Sequence, residues 1–163
     1  MASVDDLAQR VARLEDERGV LDTLYRYGHT IDHGPDEEWL DCFTDDAVWD
    51  SIPGPELGER AERITRRGRA ELTAFIAGHT HAPQRWHKHL LAEPTITVRG
   101  DEADALSYWV RIDSYEDGIY MRGFGRYRDH LVRGDDGRWR FTSRVIECDA
   151  MELRGSYLLP GEA

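Results

Sequence analysis

Lysine is nearly missing from this 163-residue chain: Lys88 is the one lysine among 21 basic residues. A codon bias toward arginine explains that shortage without any function. Cysteine is scarce too, and Cys42 and Cys148 lack CxxC spacing. That excludes a disulfide framework and predicts two reduced, partly buried thiols. No stretch approaches the roughly 18 consecutive apolar residues of a membrane-spanning helix. The start, MASVDDLAQR, is acidic where a secretory signal is basic and then apolar, so a cytoplasmic location is expected. Positive charge is in short supply, with a formal net charge of -11, and Glu62 interrupts the basic run from Arg60 to Arg69. A nucleic-acid partner is excluded on that balance.

What is present is enough for one core: 40% hydrophobic and 10% aromatic residues over a length that favours a single domain, residues 1–163. Ser3 and Asp6 resemble a capping box ahead of Leu7, Val11 and Leu14, which predicts a helix. Gly19 interrupts the pattern before Val20, Leu21, Leu24, Tyr27 and Ile31 resume it. Two helical pieces or one bent helix are expected, ending near His33-Gly34-Pro35. A short helix over 36–43, a strand over 47–52, a loop over 53–63, a short strand over 64–67 and an amphipathic helix over 69–78 follow. From Arg85 onward four strand-like runs alternate with turn-forming residues, which predicts an antiparallel meander over 87–98, 103–115, 119–132 and 138–149. Helices first and long strands later indicate an α+β domain with helices covering one face of a bent, mostly antiparallel sheet.

The stretch Tyr25-Arg26-Tyr27-Gly28-His29-Thr30-Ile31-Asp32 places polar chemistry on a helix that must also face a core. Polar groups there need partners, and the segments around His87 and His89 and around Arg144 are the candidates to supply them. At about 100° per residue, Tyr27 and Asp32 stand about 140° apart, whereas Tyr25 lies within about 20° of Asp32 and His29 about 60° from it. Tyr25 and His29 are therefore candidate substrate-binding groups. HxH at His87 and His89 puts both imidazoles on one face of a strand, but His79 and His81 lie at a helix end with nothing to fix them. No metal or other cofactor is expected. Trp49, Trp109, Phe124, Tyr127, Trp139 and Phe141 read as core, and Trp49, Tyr127 and His87 are nominated to touch a flat apolar ligand.

Tyr27-x4-Asp32, Phe43-x-x-Asp46-Ala47-Val48-Trp49, His89-Leu90-Leu91 ahead of Ile96-Thr97-Val98-Arg99-Gly100-Asp101, and Trp139-Arg140-Phe141 before Arg144 occur in a telling order. In these motifs the chain resembles the SnoaL-like group of the NTF2-like superfamily, which includes scytalone dehydratase, bile-acid 7α-dehydratase and the lindane dehydrochlorinase. The resemblance implies a cone-shaped α+β barrel and a cofactor-free lyase, cyclase or isomerase acting on a hydrophobic polycyclic or polyketide-like molecule. It matches Asp32, His89, Tyr27 and Arg144 to catalytic positions, with Asp32 orienting His89 as general acid and base. Two alternatives stay open. One is an isomerase of the ketosteroid type, for which Asp113 and Asp149 are the strand acids to nominate. The other is a non-catalytic module like the small subunit of ring-hydroxylating dioxygenases. A homo-oligomer, dimer or trimer, is expected to cover a sheet face bearing Tyr108, Val110, Ile112, Tyr120 and Met121.

Overall fold

The computed structural model describes residues 3–55 and 61–151, so residues 56–60 of the expected loop lie outside the described residues. Helix α1 runs from Val4 to His33, and the Ser3 side chain caps it by accepting from the Asp6 N–H at 3.1 Å. Of the two forms expected, two separate helical pieces do not occur: α1 runs unbroken through Gly19, which packs closely on Trp139. A Cβ built there would stand 2.6 Å from Cδ1 of Trp139. The helix stops at Gly34, whose φ of 65° a glycine adopts without strain.

Helix α2, Asp36–Leu40, is shorter than expected, and strand β1 begins early, spanning Phe43–Ile52. Strand β2, Ile64–Arg67, and helix α3, Gly68–Ala77, follow. The meander is β3 His87–Arg99, β4 Glu102–Tyr115, β5 Gly118–Arg133 and β6 Trp139–Met151. The six strands lie in the order β2-β1-β6-β5-β4-β3. Every neighbouring pair is antiparallel except β1 with β6. The sheet does not close, so the expected barrel is an open mixed sheet with β2 and β3 at its edges.

The core lies between the helices and one sheet face. Leu24, Tyr27 and Ile31 of α1 meet Trp39, Phe43, Leu72, Ile76, Leu131 and Phe141, all buried. Four aromatic rings surround Tyr27 at centroid distances of 5.8 to 6.2 Å. Cys42 and Cys148 are free and buried, and burial pushes the Cys42 thiol up to about 12. The other sheet face exposes Leu90, Leu106, Tyr108, Met121 and Phe124. Tyr120 does not join them: it pairs with Asp113, whose side chain is inward, because period-two alternation separates it from Met121.

Strand β3 changes phase partway along. The ladder to β4 shifts between Ala92 and Thr95, and Glu93 there has a φ of 51°. Before this bulge His87, His89 and Leu91 face inward, and after it Ile96 and Val98 do.

The close approach at Gly19 gives a direct test. Alanine is the better helix former, by about 0.8–1 kcal/mol. Gly19→Ala should nevertheless lower stability by about 1–3 kcal/mol through overpacking against Trp139. Urea unfolding that found the variant equal to or more stable than the parent would contradict this packing.

Candidate functional site

The last turns of α1 and the start of β3 enclose a groove of about 320 Å³ lined by Leu24, Tyr25, Gly28, His29, Asp32, His33, Lys88, His89, Leu90 and Leu91. The two elements meet closely there because residue 28 has no side chain: a Cβ would lie 3.2 Å from the His89 carbonyl oxygen. Strand β3 is a sheet edge, so its outward N–H groups need partners. The His89 N–H finds one in Asp32, at 3.0 and 3.2 Å from its two carboxylate oxygens.

The same carboxylate accepts from the His89 ring, with Nδ1 2.7 Å from Oδ1. A carboxylate on Nδ1 puts the neutral imidazole's proton there and leaves Nε2 as the basic nitrogen. Burial alone would raise the Asp32 carboxyl, but the hydrogen bonds from His89 outweigh it and hold the group below its usual range. Burial lowers His89, and the bond to Asp32 opposes that only in part, so the imidazole is neutral at neutral pH and can accept a proton.

Behind the dyad, the His87 side chain is fully buried. Its Nε2 stands 3.5 Å from Asp32 Oδ1 and 3.3 Å from Nε2 of His79. Its Nδ1 has no hydrogen-bond partner among the described residues. His79 is thus fixed, contrary to the expectation for a loose helix end, because α3 delivers it against Phe75 and His87. Desolvation pushes His79 down to about 3 and His87 down to about 4. Asp32, His87 and His89 each offer a ligand atom, all within 4.8 Å of one another.

Tyr25 and His29 line the groove beside Asp32, as the helical wheel requires. Tyr27 and Arg144 do not. Tyr27 is buried and its hydroxyl accepts from Nε1 of Trp49 at 3.1 Å. Trp49 is itself a core residue, packed on Phe75, and it does not line the groove. Arg144 is buried between the rings of Tyr27 and Tyr127, its Cζ 3.9 Å from each centroid. Its Nε and Nη2 meet Asp129 at 3.0 and 3.1 Å. Sequence reasoning missed Asp129, because only the β5–β6 register, Asp129 opposite Arg144, reveals that this acid points inward. Burial pushes Asp129 up to about 6 even with a guanidinium beside it, as expected where desolvation offsets the attraction of a buried pair. Tyr127 packs on Arg144, Trp109 and Tyr27, and it does not line the groove.

Neither nominated strand acid is an available base. The Asp113 side chain is buried and accepts from Arg111 at 2.7 Å and Arg85 at 2.9 Å. Burial would raise its carboxyl, and Arg111 holds it down. Asp149 is solvent-exposed, 3.8 Å from Arg126. A larger hollow of about 410 Å³ lies on the outer face of the sheet over a second carboxylate-imidazole pair, Asp104 and His130. Its side chains are 52% and 38% exposed, so water competes for both and the inner pair is the stronger candidate for chemistry.

This architecture has counterparts of known structure. An NTF2-like protein with a cystatin-like fold from Novosphingobium aromaticivorans is 26% identical, with 99% of this chain and 97% of that one covered at a TM-score of 0.77. The beta subunit of a candidate aromatic-ring-hydroxylating dioxygenase from the same organism is 23% identical, covering 91% and 97% at a TM-score of 0.73. A candidate scytalone dehydratase, again from that organism, is 20% identical, covering 88% and 91% at 0.69. At those identities the last two carry the fold alone. No curated protein matches the chain. The family model of the SnoaL-like domain matches residues 12–145, which include Asp32, His79, His87 and His89, and the chain therefore belongs to the SnoaL-like family.

Proposed function

We propose that the protein is a dehydratase-type lyase that acts on an apolar hydroxylated ketone through His89 and Asp32. The observation that carries this reading is the 2.7 Å contact between His89 Nδ1 and Asp32 Oδ1 in the wall of the groove. In the proposed step, Nε2 of His89 takes a proton from the carbon next to a carbonyl. The C–H electron pair becomes the new C=C bond as the β-hydroxyl departs, and the imidazolium returns its proton to that oxygen, releasing water. Asp32 holds the ring in the productive tautomer and offsets the transient positive charge. Leu24, Leu90, Leu91 and the ring of Tyr25 supply the apolar walls, while the Tyr25 hydroxyl and His29 supply polar groups beside the base. Tyr27 and Arg144 support that wall from the core. A cyclase or isomerase of the same family would use the same proton transfer, and the substrate decides between them.

The proposal extends to assembly. Leu90, Leu106, Tyr108, Met121 and Phe124 give the outer sheet face an apolar character that a second copy of the chain would cover. Light scattering at micromolar concentration should return a dimer or trimer, and a monomer would refute the assembly.

His89→Gln keeps a similar size but cannot exchange protons near neutral pH. With a panel of hydroxylated polycyclic ketones as substrates, turnover should fall by roughly two to four orders of magnitude, the usual share of general acid-base catalysis. Product-analogue binding should persist, since apolar walls supply most of it. Asp32→Asn should lose turnover similarly by releasing the ring. Parent-like turnover in both variants would place the base elsewhere, and ligand binding without turnover in the parent would favour a binding module.

A further inference from the structure

We propose that Asp32, His87 and His89 form a site for one divalent cation of the zinc class, and that a cation bound there blocks the proton transfer proposed above. The binding itself is independent of the dehydratase reading; the blocking rests on it.

Two histidines and one carboxylate are a donor set that zinc and neighbouring transition metals accept. With metal–ligand bonds of about 2.0–2.2 Å, adjacent ligand atoms of a tetrahedral site stand about 3.3–3.5 Å apart. The edge from His87 Nε2 to Asp32 Oδ1, 3.5 Å, already has that length. The edge from His89 Nδ1 to the same oxygen, 2.7 Å, has to open by a ring tilt. The scaffold is suited to hold such a set. His87 and His89 are two residues apart on a strand paired with β4, so both rings are fixed on one face. Asp32 stands in the last turn of a 30-residue helix.

A second observation points to a ligand independently. The dyad needs one imidazole, yet three converge, with ring centroids 5.2, 5.2 and 6.4 Å apart. The His87 side chain is fully buried; its Nδ1 has no partner among the described residues, and its Nε2 shares one hydrogen bond with Nε2 of His79 at 3.3 Å. A cation taking Nε2 would give that ring a role, with His79 Nε2 adjacent to the vacant coordination position. The nearby guanidinium of Arg111 would oppose a cation, but its contact with Asp113 at 2.7 Å offsets it.

Blocking follows from the tautomer. Ligation through Nδ1 of His89 moves that proton to Nε2 by way of solvent, with no change in ring charge. The lone pair the mechanism needs is then gone, and Asp32 is committed to the metal.

The test uses the full chain stripped of metal and titrated with Co²⁺ by visible absorption, followed by Zn²⁺ competition. One equivalent should bind with the absorption of a four- or five-coordinate site, and Zn²⁺ should displace it. His87→Gln and Asp32→Asn should each weaken binding by at least the roughly 10–100-fold that losing an outer-shell partner costs. His130→Gln, on the outer sheet face, should bind as the parent does. Circular dichroism checks the fold of each variant, and if His87→Gln does not fold, Asp32→Asn decides. Absence of saturable binding, or equal affinity in the folded His87→Gln or Asp32→Asn variant and the parent, overturns the site. A chelator should leave turnover of the parent unchanged and one equivalent of Zn²⁺ should abolish it; undiminished turnover in the Zn²⁺-loaded protein overturns the blocking. The binding result needs no substrate, so its failure is separable from failure of the dehydratase reading.

Discussion

The Asp32 carboxylate joins the two halves of the molecule by accepting from one residue twice, from the backbone N–H of His89 and from its ring. The backbone contact satisfies an edge-strand donor, so the helix end sits at a fixed height against β3. The ring contact sets a tautomer. One requirement of the fold and one of the chemistry therefore fall on the same atoms. Gly28 permits the approach, and the Asp32 carbonyl accepts from the Ala82 N–H, tying the connection after α3 to the same point.

Much of this was legible in the chain. Period-two runs separated by turn residues gave the meander to within two residues at every end, and the helical wheel put Tyr25 and His29 on the face of Asp32. Two kinds of error have physical causes. Gly19 reads as a helix breaker locally, but its neighbour Trp139 is 120 positions away, and only the tertiary contact reveals why no side chain fits. Arg144 reads as a pocket cation, because nothing nearby in sequence announces Asp129 or the rings of Tyr27 and Tyr127 that take up its faces. Register is what both readings lacked. Where motifs are local, as with His87 and His89, spacing alone was enough to place them together.

The interior carries more charge than a core of this size requires. Arg144 with Asp129, and Asp113 with Arg85 and Arg111, are buried or nearly so. Such pairs add little net stability, since desolvation consumes most of the attraction. Their geometry is directional, however, and each acid lies on a different inner strand. Asp129 with Arg144 ties β5 to β6, and Asp113 with Arg85 ties β4 to the segment that leads into β3 and the groove wall.

The bulge at Glu93 has a bearing on how this chain can change length. The imidazoles precede it and the inward apolar residues Leu91, Ile96 and Val98 straddle it, so the strand reads in two phases joined by one extra residue. Deleting a single residue between Ala92 and Thr95 would restore one continuous phase. The rings of His87 and His89 and the side chains of Ile96 and Val98 would then all keep the inner face, with Ala92 and Thr95 still opposite Tyr108 and Leu106. Loss of this one residue is therefore the length change that a relative can make here while keeping both the core and the imidazoles, whereas loss of a single residue elsewhere between His89 and Ile96, with the bulge kept, turns one set to solvent.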